Sequence, residues 1–134
     1  MASNLLYSNG TRDAQQTGLI TYAGSGSLIK IYSGTQPVNA NTAISSQTLL
    51  VTLTVAGTFG TDSNGTITIG TVTSGTAGAT GTASFFRIFK SDGTTVVMDG
   101  SVGTASADMI LSSVSITSGQ TVSISSGTII RANQ

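Results

Sequence analysis

The chain has 134 residues and a mass of 13.4 kDa, the length of one domain that buries roughly two-thirds of its unfolded surface around a single core. Charged residues make up only 7% of it, against about 25% in an ordinary soluble domain, and five Lys or Arg cancel five Asp. Glu, His, Cys and Trp are absent, while Ser, Thr and Gly supply 60 of the 134 residues. Without His or Cys there is no Ser-His-Asp triad, thiol nucleophile, disulfide, or imidazole or thiolate metal site, so neither an enzyme nor a cofactor or metal dependence is expected. The cations Arg12, Lys30, Arg87, Lys90 and Arg131 are dispersed and form no phosphate-binding stripe, which argues against nucleic acid. No apolar run exceeds three residues, so neither a membrane span nor a signal segment is expected, and the chain is read as made in a cytoplasm. A mean hydropathy of +0.26 with zero net charge is the composition of a folded chain rather than a disordered one, and it removes the repulsion that keeps copies apart.

In chain order, residues 1–10 read as a free arm with Leu5, Leu6 and Tyr7 as adjacent apolar anchors. Arg12-Asp13-Ala14-Gln15-Gln16 opens a short helix near 11–22, so residues 1–24 form an arm-and-helix segment ahead of a β domain over 25–134. From there a period of two dominates. The pattern predicts strands at 28–33, 47–56, 65–73, 83–91, 94–99, 108–116, 120–126 and 128–131. Leu49, Val51, Leu53 and Val55 alternate with Leu50, Thr52 and Thr54, giving an aliphatic inner face and a threonine outer face. Asp62-Ser63-Asn64-Gly65, Asp92-Gly93 and Ser118-Gly119-Gln120 carry the turn chemistry of hairpins. The small-residue stretch 73–82 reads as a flexible loop. Closely spaced short strands with these turns predict an all-β, antiparallel β-sandwich, jelly-roll or Ig-like. Ile31, Leu53, Ile69, Phe86, Ile88, Val122 and Ile124 are the expected core.

Few motifs carry chemistry. Ser27-Leu28-Ile29-Lys30 matches an S-x-x-K string, but it starts a strand, where positions three apart face opposite ways, and no S-D-N or K-T-G partner follows. Asp62-Ser63-Asn64-Gly65 resembles the start of a calcium loop, whose closing bidentate Glu does not exist in this chain. Asn9-Gly10-Thr11 and Asn64-Gly65-Thr66 are formal glycosylation sequons that read as turns. Thr-x-Thr pairs at 52/54, 66/68 and 71/73 lack the fixed repeat of an ice-binding solenoid. In Phe85-Phe86-Arg87-Ile88-Phe89, Phe86 and Ile88 share the core face, while Phe85, Arg87 and Phe89 share the other. That second face is either covered by a second layer or the N-terminal helix, or is an exposed aromatic patch around an Arg anchor, a composition that contact surfaces favour.

The runs 29–39, 48–53 and 81–97, with Asp108-Met109 and 115–120, resemble in order a group of small proteins encoded in tailed-bacteriophage structural gene clusters. The resemblance spans residues 11–131 and rests on structural punctuation. It implies a short N-terminal helix followed by a β-sandwich, and a virion component on the capsid surface: a head decoration or cement protein that binds the major capsid protein and neighbouring copies of itself, as a dimer or trimer. The alternative is a tail- or fibre-associated module that binds host-surface carbohydrate. The scarcity of aromatics and the lack of Trp count against it, since sugar faces stack on such rings.

Overall fold

A computed structural model describes residues 4–124 and 127–130. Among the described residues one helix, α1 (Asn9–Ala23), precedes thirteen strands. These are β1 (Leu28–Ser33), β2 (Thr48–Val55), β3 (Gly60–Ser63), β4 (Thr66–Ile69), β5 (Val72–Thr73), β6 (Gly75–Thr76), β7 (Gly81–Thr82), β8 (Phe85–Phe89), β9 (Val96–Gly103), β10 (Met109–Ile110), β11 (Ser115–Ile116), β12 (Thr121–Val122) and β13 (Thr128–Ile130). Residues 125, 126 and 131, at the ends of two expected strands, and residues 1–3 of the expected arm lie outside the described residues.

The helix begins two residues before the expected start because Ser8 caps it: its Oγ accepts the Thr11 amide at 3.1 Å and its own backbone is extended. The arm therefore ends at Tyr7 rather than at residue 10. Gly24, at φ 73°, closes the helix, its amide donating to the Ile20 carbonyl. The helix is fastened to the β3–β4 hairpin by side chains. Asp13 Oδ1 accepts the Gly65 amide at 2.6 Å, Thr17 Oγ1 donates to Asp62, and the buried Gln16 amide donates to the Gly65 and Ile129 carbonyls.

The strands form a six-stranded sheet in the order β10-β9-β8-β1-β2-β5, a three-stranded sheet β13-β4-β3, and two small ladders, β11 with β7 and β12 with β6. All pairings are antiparallel except β10 with β9. The long sheet curls around the core. Ile29, Ile31, Leu53, Phe86 and Ile88 point from it toward Ile67 of β4, Phe59, Ile116 of β11 and Val122 of β12, all buried. Of the expected core, Ile69 and Ile124 are only half-buried; they pack against this cluster from its margin.

Three expectations are corrected. The alternation in β2 breaks at a bulge: Ile31 pairs with Val51 but Tyr32 pairs with Leu49, so Leu50 is the extra residue. Leu50 is consequently buried and Leu49 is turned out of the core. The expected strands 65–73 and 108–116 are each split between different sheets, the first into β4 and β5 and the second into β10 and β11. The small-residue stretch 73–82 is not a loose loop but contains β6, β7 and the buried Ala77. Its glycines let backbone lie on backbone: a Cβ on Gly75 would collide with the Thr52 carbonyl oxygen, and one on Gly81 would press Leu50.

Candidate functional site

The residues singled out from the sequence fall into two places. Leu5 and Leu6, on the arm ahead of the Ser8 cap, are 65% and 75% exposed, and Tyr7 is half-buried. Phe85, Arg87 and Phe89 share the outer face of β8 as expected, but the exposed patch is corrected: all three are buried. Tyr32 lies against Phe85 and Lys30 over Phe89, while the connection between β1 and β2, residues 34–47, reaches Arg87 through the Asn39 carbonyl and faces Arg87 and Phe89 across a cleft through residues 40–44. That loop is braced internally by Asn39, whose Oδ1 accepts the Asn41 and Thr42 amides, and by Gln47, which bonds both Thr35 and Ser45.

Beneath the loop, Arg87 is held by Asp99, its cross-strand partner on β9. Nε donates to Oδ1 at 2.6 Å and Nη2 to Oδ2 at 2.8 Å, while Nη2 also reaches the Asn39 carbonyl at 3.4 Å. A planar guanidinium meeting a carboxylate in this two-point fashion is the geometry in which a buried charge is tolerated. Tyr32 stacks on Phe85 with ring centroids 5.1 Å apart. Burial pushes the Tyr32 hydroxyl above its ordinary value; the Arg87 charge works in the opposite direction and Asp99 adds to the rise. Lys30 lies 4.6 Å over the Phe89 ring and donates to the Gly93 carbonyl. The face is thus internally satisfied: its cations are neutralised or shared, and its aromatic rings are stacked or capped.

Among the described residues, the other polar side chains singled out from the sequence lie apart from one another. Lys30 of the S-x-x-K string turns to Phe89 and Gly93, whereas Ser27 is buried with its Oγ unpaired. Asp62 bonds Thr17, and Asp108 accepts the Ser101 amide and hydroxyl. Asp92 accepts the Thr94 and Thr95 amides and the Thr95 hydroxyl, which hold its carboxyl down at about 2. Among the described residues, no three acidic side chains come close enough to hold a metal ion, and no helix is long and apolar enough to cross a membrane.

A second feature was not legible in the sequence. An apolar cleft of about 560 Å³ opens between the long sheet and the β13-β4-β3 sheet, lined by Ile29, Ile69, Phe86, Met98, Ile124 and Ile129. Ile110 of β10 and Ile130 of β13 stand on its rim, 53% and 67% exposed. The chain matches no family model, no characterised protein sequence and no solved structure. Among the described residues, the large apolar side chains exposed include Leu5 and Leu6 on the arm, Ile110 and Ile130 beside the cleft, and single residues such as Val38 and Tyr22.

Proposed function

We propose that this chain is a non-enzymatic virion structural protein, a bacteriophage head decoration or cement protein that binds and stabilises the capsid shell. The observation that carries this reading is the uncharged arm, with Leu5 and Leu6 exposed just ahead of a firmly capped helix on a body of zero net charge. A lattice packs many copies at high local concentration. A neutral, hydroxyl-rich body accepts that density without self-repulsion, and an apolar arm supplies the grip. The resemblance of residues 11–131 to small proteins of tailed-phage structural gene clusters supports the same assignment. The finer architecture we propose is a two-layer β-sandwich, the curled six-stranded sheet forming one layer and the shorter sheets the other.

Two measurements test this. In purified particles of the phage that encodes the chain, hundreds of copies are expected; a few copies would place it in the tail instead. Removing residues 2–7, which spares the Ser8 cap, is expected to leave the melting temperature within a few degrees while abolishing binding to empty heads. Undiminished binding by the shortened protein would overturn the role given to the arm.

A further inference from the structure

The outer face of β8 is satisfied in charge but not in hydrogen bonds. The cleft under residues 40–44 has a volume of about 610 Å³ and is lined wholly by described residues. Arg87 and Phe89 lie on one side of it, and Tyr22, Tyr32 and residues 94–96 complete the lining. Arg87 and Tyr32 are only 2% and 5% exposed, so both are buried polar side chains set on a cavity. Asp99 and the Asn39 carbonyl engage Nε and Nη2 of Arg87, whereas Nη1 has no acceptor among the described residues. The Tyr32 hydroxyl also has no hydrogen-bond partner among them. It stays protonated, and therefore both donates and accepts. Buried polar groups are normally paired. Here two unpaired ones line the same cleft.

The lining selects the chemistry of an occupant. The charge of Arg87 is already met by Asp99, so the cleft does not call for an anion. Nη1 needs an oxygen acceptor, while the Tyr32 hydroxyl and the exposed Asn41 side-chain amide can each donate and accept. The Tyr22 and Phe89 rings offer apolar contact beside them. A sugar ring presents both surfaces, with hydroxyls around its edge and C–H groups on its faces. Three of the chain's seven aromatic residues meet at this cleft, so the low overall aromatic content does not disqualify it. Its walls are also fixed in advance. Asn39 Oδ1 accepts the Asn41 and Thr42 amides, and Asp92 Oδ1 accepts the Thr94 and Thr95 amides, which lowers the ordering cost of binding.

We propose that this cleft binds a neutral saccharide, one ring lying against Tyr22 while its hydroxyl oxygens accept from Arg87 Nη1 and bond the Tyr32 hydroxyl. This goes beyond the shell assignment above and does not depend on it. Along α1, Tyr22 stands about 20 Å from the Ser8 cap, so the cleft and the arm are separate surfaces.

The test is a titration of the ¹⁵N-labelled full chain, without capsids, with maltose, lactose and N,N′-diacetylchitobiose, and separately with glucuronate and inorganic phosphate. At least one disaccharide is expected to shift the Asn41, Thr42, Thr94 and Thr95 amides saturably, with a Kd of about 1 mM. Tyr22→Ala, at a half-exposed position, and Tyr32→Phe, which keeps the ring on Phe85, are each expected to weaken that binding about fivefold with the melting temperature kept. No saturable shift with any of the three disaccharides overturns the proposal. So does saccharide binding that both variants leave unchanged, or a response to glucuronate and phosphate alone, which would make the cleft an anion site. Shell binding plays no part in this readout, so the saccharide site and the capsid assignment stand or fall separately.

Discussion

Arg87 shows how far alternation carries at the scale of one residue. Its position in Phe85-Phe86-Arg87-Ile88-Phe89 places it on the face away from Phe86, and the pairing of β8 with β1 and β9 keeps it there. Whether that face meets water depends in part on residues 34–47, which lie 40 to 53 positions away in sequence. Substituting Asp99 by Asn leaves a buried guanidinium without its counter-charge and is expected to cost about 3–5 kcal/mol in urea unfolding. The Arg87→Met/Asp99→Leu pair, which removes both charges, is expected to cost less than that single change. Phe86→Ala, at the centre of the core, is expected to cost about 3–5 kcal/mol, read in the same experiment. Asp92 supplies a pH signature. Its carboxyl falls from an ordinary 3.8 to about 2 because it accepts the Thr95 hydroxyl and the Thr95 and Thr94 amides. The folded state thus binds this proton less readily than the unfolded state. The stabilising contribution is present above about 3.8 and is lost as pH drops toward 2. Amide protons of Thr94 and Thr95 are expected to lose protection over that interval in NMR, and Asp92→Asn is expected to abolish the dependence.

Among the elements, β1 was legible to the residue because the β-forming run Leu28–Ser33 stops at Gly34, whose φ is 97°, even though its burial pattern loses alternation at Ile31 and Tyr32. The helix was legible except at its start, where Ser8 decides the boundary. Ser8→Ala is expected to cost about 1 kcal/mol, measured by thermal unfolding. Two of the misread elements show the physical reason. The bulge at Leu50 arises where β2 must match β1, and alternation within one strand carries no record of its partner's register. Segment 73–82 lacks large side chains, which reads as looseness; here it is what allows close backbone approach to β2. Gly75→Ala is expected to destabilise by about 1–3 kcal/mol in denaturant titration, by driving a methyl into the Thr52 carbonyl. A flexible loop would tolerate that change.

At the scale of the whole molecule, the helix and the strands belong to one cooperative unit, because Asp13, Gln16 and Thr17 tie α1 to the β3–β4 hairpin and to β13. Far-ultraviolet circular dichroism and near-ultraviolet tyrosine signals are expected to report one coincident unfolding transition. The helix melting first would show that it merely rests on the sheet. The exposed arm and the open cleft also belong to this scale, since neither is a property of one element.

The β-rich class, the single short helix, the hairpin turns at 62–65 and 92–93 and most of the core were determined by sequence alone; the turn at 118–120 instead joins β11 to β12, which pair with β7 and β6 and not with each other. Each follows from local rules: side chains alternate at a period of two, Gly and Asn accept positive φ, and apolar residues leave water. Tertiary structure decided what lies over what. It buried Arg87 beneath residues 34–47, divided 108–116 between two sheets, drew the small-residue stretch into the body, and opened a cleft between Ile110 and Ile130. These outcomes depend on contacts between residues far apart in the chain. Local periodicity holds no information about such contacts, because a face reads the same whether water, a loop or a second copy covers it.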